Sequence, residues 1–112
     1  MMVAGIFGKV RETLSVELSV EQLADQANLS VRQFSRAFME ATGTTPAKAI
    51  ERLRAEIARP RVEDGREPLE TIARDVGFID PERMRQSFTR VFGQAPRTIR
   101  RAARNLDPAA EA

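Results

Sequence analysis

The sequence predicts an all-α fold, two helix-turn-helix subdomains joined by a linker helix. Three observations carry it. Apolar residues recur at spacings of three and four rather than alternating. Helix start and stop signals bracket each such stretch. One pattern of core and turn residues then occurs twice along 112 residues, a length suited to one small compact domain rather than two ordinary ones.

The first stretch places Ile6, Phe7, Val10 and Leu14 on one helical stripe and breaks near Ser15 to Leu18. Ser19 caps a second helix, with Gln22 three residues on to complete a capping box, and this helix runs through Leu23 and Ala24 to about Ala27. Asn28 falls where the chain turns left-handed, a conformation asparagine tolerates. Ser30, again with Gln33, caps a third helix that carries Phe34 and Phe38 and stops at Gly43.

Thr45 caps the next helix and Pro46 occupies its first turn, where a missing amide proton costs nothing. Its apolar stripe is Pro46, Ile50, Leu53 and Ile57. Pro60 removes a backbone hydrogen bond inside that pattern, so a kink or an end is expected there. Asp64, Gly65 and Pro68 mark a loop.

Beyond the loop the pattern restarts. Leu23, Ala24, Ala27, Asn28 and Leu29 reappear 49 residues on as Ile72, Ala73, Val76, Gly77 and Phe78. One residue is then inserted, and Phe34, Phe38, Gly43 and Pro46 reappear 50 residues on as Met84, Phe88, Gly93 and Pro96. The insertion lies in the turn before the last long helix, where Asp80 caps and Pro81 takes the first turn. Solenoids also have periods of this order, but they need about three or more repeats to bury a continuous core. The reading is one domain over 1–112, with a first unit at 6–43, a linker helix at 45–63, a second unit at 68–104 and a disordered tail at 105–112.

Composition removes several function classes. The chain has no cysteine and no histidine, so disulfides, thiolates, imidazole bases and the usual zinc sets are absent, and no catalytic residue, metal or cofactor is expected. No apolar run approaches the ~18 residues of a membrane span. Met1 to Gly8 lacks the basic start of a secretory signal, which points to the cytoplasm. Net charge is only +2, yet 16 of the 18 basic residues are arginine, the side chain suited to bidentate contact with phosphate and guanine. A GC-rich coding sequence gives the same bias.

In a helix-turn-helix the first helix braces the second, whose N-terminal residues meet base edges in the major groove. Opposite Phe34 and Phe38 the third helix offers Arg32, Gln33, Ser35 and Arg36. Opposite Met84, Phe88 and Phe92 the second copy offers Glu82, Arg83, Arg85 and Gln86. Arginine suits guanine, glutamine adenine, and glutamate accepts from cytosine. Any surface helix also shows polar residues opposite its core stripe. The repetition of the unit, with its core spacing intact across the insertion, favours the nucleic-acid reading. A linker from Pro46 to Arg59 is about 20 Å long at 1.5 Å per residue. That length is compatible with recognition helices one DNA turn apart, roughly 34 Å. Arg97, Arg100, Arg101 and Arg104 cluster on a short final helix, suited to phosphates or simply solvated. A protein-binding helical module is the alternative class, and an enzyme a distant third, because serine and threonine have no histidine to activate them.

Pro68 to Arg100, "PLETIARDVGFIDPERMRQSFTRVFGQAPRTIR", resembles the second helix-turn-helix signature of AraC/XylS-type transcription regulators, with its Gly-Phe turn and Phe-Gly-x-x-Pro ending. The upstream "LSVEQLADQANLSVRQFSRAFMEATGTTPAKAI" is similar to that family's more variable first unit. The resemblance runs from about Val10 to Arg101. It implies homeodomain-like units that bind double-stranded DNA in successive major grooves through Arg32, Ser35 and Arg36, with Gln33 nearby, and through Glu82, Arg83, Arg85 and Gln86. Apart from the resemblance, the arginine cluster of the final helix makes Arg97, Arg100 and Arg101 the expected phosphate contacts. The resemblance further implies activation through RNA polymerase and an N-terminal sensor or dimerisation domain. "DPERMRQSF" resembles the subset whose sensor is DJ-1/PfpI amidase-like. The family pattern is departed from in three places: Pro60, Arg61 and Val62 replace a basic residue and two leucines, Asn28 replaces glycine, and Ile99 stands where tyrosine is common.

Overall fold

Capping chemistry decides where the helices begin. In the computed structural model, which describes residues 19–106, the Ser19 hydroxyl accepts from the Gln22 amide (3.1 Å) while the Gln22 side chain accepts from the Ser19 amide (2.9 Å). Ser30 and Gln33 repeat the arrangement at 3.1 and 3.0 Å. The helices so started are α1 (Val20–Gln26) and α2 (Val31–Thr42), and α3 (Pro46–Asp64), α4 (Leu69–Asp75), α5 (Pro81–Phe92) and α6 (Pro96–Leu106) follow. Among the described residues there is no strand, so the all-α expectation holds. The expected helix through Ile6 and Leu14 and residues 107–112 of the expected tail lie outside the described residues, whereas residues 105 and 106, expected in that disordered tail, are the last turn of α6, which runs on through them.

The chain divides after Leu53 into two compact units. The first holds α1, α2 and the start of α3. Leu23, Ala24, Phe34 and Phe38 are its buried apolar residues on α1 and α2, each at most 2% exposed, and the two rings lie 5.8 Å apart at a tilt. One turn of helix between Phe34 and Phe38 is what lets them stack on a single face.

The second unit holds the rest of α3 with α4, α5 and α6. Ala55, Ala58 and Val62 on α3, Ile72, Ala73 and Val76 at α4, Phe78 in the turn, Met84 and Phe88 on α5, and Ile99 on α6 make one buried cluster. The small alanines of α3 and α4 share this one core with the larger Met84 and Phe88 of α5. Ile99 is 3% exposed, and a side chain with no hydroxyl leaves nothing polar to satisfy at that position.

Pro60 does not end α3, contrary to one of the two expected outcomes. The helix continues to Asp64. Pro60 is itself exposed, whereas Ala58 and Val62 on either side are fully buried, so core packing keeps the chain helical past the one missing amide hydrogen bond. The end of the helix is then capped from outside: Arg100 Nε donates to the Val62 carbonyl at 3.0 Å and its Nη2 to the Glu67 carbonyl at 2.7 Å.

Candidate nucleic-acid interface

The tight turn between brace and second helix is built the same way in both units. In the first, the Ala27 amide donates to Leu23, Asn28 to Asp25 and Leu29 to Ala24; in the second, Val76 donates to Ile72, Gly77 to Arg74 and Phe78 to Ala73. Each hydrogen bond sits in the register that the repeat assigns. Asn28 has φ 59° and Gly77 φ 91°, so the left-handed step falls at matched positions, one of them tolerated by asparagine and the other free for glycine. Both second helices stop at a left-handed glycine, Gly43 (φ 77°) and Gly93 (φ 74°).

The copies differ at one residue. In the first unit Leu29 leads directly to the N-cap Ser30, whereas in the second Ile79 stands between Phe78 and the N-cap Asp80. Ile79 is therefore the inserted residue. It has φ 76°, and the Asp80 amide donates back to the Phe78 carbonyl at 2.9 Å, closing a γ-turn with Ile79 at its centre.

On α2, Arg32, Gln33 and Arg36 are exposed and Ser35 is half-buried. The Gln33 side-chain oxygen is committed to the cap, which leaves its NH2 group to face outward. On α5, Glu82, Arg83, Arg85 and Gln86 are all exposed. The structure joins three of them: Arg85 Nε and Nη2 donate to the two Glu82 carboxylate oxygens at 2.9 and 2.6 Å, and Gln86 Nε2 approaches one of these oxygens at 3.4 Å. The Arg85 hydrogen bonds hold the Glu82 carboxyl below the usual carboxylate range, and in return Glu82 raises the Arg85 guanidinium. Arg83 stands apart from this group, its amide donating to the capping Asp80 carboxylate at 2.8 Å.

A shallow groove of the second unit is lined by Glu82 and Arg85 from α5 and by Arg97, Arg100, Arg101 and Arg104 from α6. Arg97, Arg101 and Arg104 are exposed. Arg100 is half-buried and directs Nε and Nη2 inward to the end of α3, so it is a positioning residue of the unit as well as a wall of the groove.

Three further arginine roles were not anticipated. Arg54 is 7% exposed and its Nη1 donates to the Val76 carbonyl at 2.7 Å, tying α3 to the turn of the second helix-turn-helix. Burial lowers its guanidinium below the ordinary arginine value. Its register next to Leu53, Ala55 and Ala58 was the available signal, because an arginine on a core-facing stripe must find a buried acceptor. Arg61 donates through Nε to Glu67 (2.8 Å) and through Nη2 to Asp75 (2.8 Å), while Arg59 lies over the Phe92 ring with its guanidinium carbon 4.7 Å from the centroid.

Paired helices around a left-handed turn, repeated with the same hydrogen bonds and each exposing arginine and glutamine on its second member, define a tandem helix-turn-helix protein. Comparison with known proteins agrees. The helix-turn-helix domain family matches residues 23–102. The chain is 34% identical over 101 residues to the HTH-type transcriptional activator RhaS of Pectobacterium atrosepticum, which covers 90% of this chain and 36% of that protein. It is 33% identical over 90 residues to the RCS-specific HTH-type transcriptional activator RclR of Escherichia coli, covering 80% of this chain and 32% of that one. It thus spans about a third of the length of these curated relatives. Among solved structures, the DNA-binding domain of the global transcriptional factor AdpA, in complex with a target DNA, matches with a TM-score of 0.87 at 30% identity, over 94% of this chain and 95% of that one. The chain belongs to the AraC-type helix-turn-helix family.

Proposed function

We propose that this chain is the sequence-specific double-stranded DNA-binding part of a bacterial transcription regulator, with α2 and α5 as recognition helices in successive major grooves. The observation that carries the proposal is the doubled turn. Each unit holds its second helix by the same three backbone hydrogen bonds and leaves arginines exposed at that helix's N-terminal half. The AdpA domain, similar over nearly the whole chain, is described in complex with a target DNA, which supports the same use here.

In this reading Arg32, Gln33, Ser35 and Arg36 meet one set of base edges and Glu82, Arg83, Arg85 and Gln86 the other. Arg97 and Arg101, with Arg100 behind them, meet the phosphates beside α5. RhaS and RclR are named transcriptional activators, and they are about three times as long as the matched region. We extend the proposal accordingly to a longer protein that acts with RNA polymerase, carries an N-terminal sensor or dimerisation domain of DJ-1/PfpI-like type, works in the cytoplasm and is not an enzyme. No helix among the described residues is long and apolar enough to cross a membrane.

The test is a selection from random duplexes with the 112-residue chain, its folding followed by circular dichroism. A bipartite motif whose halves lie about one helical turn, roughly 34 Å, apart is expected. A folded chain that enriches no motif overturns the proposal.

A further inference from the structure

We propose that Ile79 is a specificity-determining residue that reads a thymine 5-methyl group at the edge of the base pairs met by α5. The inference rests on the DNA-binding reading above.

Four observations carry it. Ile79 is 68% exposed, far more than Val31 or Met39, and is the large apolar side chain that the second unit turns outward beside its recognition helix. Its φ is 76°, where β-branched residues are genuine outliers and glycine or asparagine is the comfortable choice. It centres a γ-turn closed by the Asp80 amide and the Phe78 carbonyl, and γ-turns with a positive central φ are rare and strained. Finally, it is the one residue by which the turn of the second unit exceeds that of the first, and its neighbour Phe78, 6% exposed, is buried at the position where the half-buried Leu29 stands in the other copy.

Folding does not account for this side chain. It buries little, so it contributes little to the core, and its backbone conformation is disfavoured for its residue type. The insertion leaves Phe78 and Met84 in place and moves only Ile79 outward. The residue therefore stands immediately before the N-cap of α5, the end of a recognition helix that meets base edges. It has no donor or acceptor, so the chemistry it offers the major groove is apolar contact, and the thymine methyl is the apolar group presented there.

The test uses the intact chain and the duplex recovered by selection. Each thymine of that duplex is replaced in turn by deoxyuridine, which removes only the methyl group, and affinity is titrated for the wild-type protein, Ile79→Ala and Ile79→Gly. Glycine adopts the positive φ freely, so Ile79→Gly preserves the turn and separates a reading role from a folding one. One uracil position beside the α5 half-site is expected to weaken wild-type binding by about three- to tenfold, as loss of one buried methyl-sized apolar contact does, and to have no further effect on either variant. Both variants are expected to keep the wild-type salt dependence, because no phosphate contact is lost. Uracil penalties identical in wild type and variants at every position, or variants that bind the selected duplex as tightly as wild type, overturn the proposal while leaving DNA recognition standing. Failure to recover any motif overturns both.

Discussion

Arg85 grips Glu82, one turn earlier on α5, through two parallel hydrogen bonds of 2.9 and 2.6 Å. Both residues face outward, 50% and 60% exposed in their side chains, so the pair presents a fixed guanidinium edge rather than a freely rotating one. Pre-orientation of this kind lowers the ordering cost when the arginine meets guanine. Arg85→Ala is expected to cost about 1–3 kcal/mol in DNA affinity and to relax preference at one base pair. Glu82→Ala is expected to keep that preference but weaken it, because the guanidinium loses its clamp. Anisotropy titrations against the selected duplex and its single-base-pair variants measure both, and an unchanged base preference in Arg85→Ala would refute the role.

Arg101 and Arg97 act on a different part of the duplex. Exposed on α6 along the groove that also holds Arg85, they are expected to contact phosphates, which carry no sequence information. Arg101→Ala should weaken all duplexes alike and reduce the slope of log affinity against log salt by about 1. A change in base preference without a change in slope would move Arg101 to the base-reading set.

Arg54 makes a prediction about stability. Its buried guanidinium satisfies the Val76 carbonyl at the turn, and truncation leaves that acceptor unpaired and opens a space beside α4. Arg54→Ala is expected to lower stability by about 1–3 kcal/mol in urea denaturation. Arg54→Met keeps the packing of the stem and should fall between the two. Equal stability of all three proteins would mean that the hydrogen bond contributes nothing net.

The Arg61 network predicts a pH dependence. Arg61 holds the Glu67 carboxyl below its ordinary value, chiefly through their hydrogen bond. A carboxyl whose folded-state pKa lies below its unfolded one, about 4.3, contributes stability that is present above that pH. This stability is lost as pH falls through the folded value. Melting temperature should therefore drop below about pH 4.3, and the drop should be shallower in Glu67→Gln. Parallel curves for the two proteins from pH 7 to pH 3 would exclude the linkage.

Local rules made much of the fold legible before any coordinates. Ser19 with Gln22, Ser30 with Gln33, Asp80, Gly43 and Gly93 act within a few residues of themselves, so their caps follow from sequence neighbours alone. The repeat was equally legible, since the spacing of Leu23, Ala24, Phe34 and Phe38 against Ile72, Ala73, Met84 and Phe88 needs only counting. The candidate base-reading residues came from the same helical periodicity, which separates Phe34 and Phe88 from Arg36 and Arg85.

What periodicity could not reach were partners distant in the chain. Whether Pro60 ended its helix depended on Ala58 and Val62 being buried by α4, α5 and α6, and on Arg100 arriving 38 residues later to bind Val62. The inward use of Arg54 and Arg100 was invisible for the same reason, because an arginine reads as a surface charge until a carbonyl is found within reach. The insertion before α5 was countable in the sequence. That Ile79 was the residue expelled, while Phe78 stayed in the core, was decided by tertiary packing: burial of the larger aromatic outweighed the backbone strain that the isoleucine then had to bear.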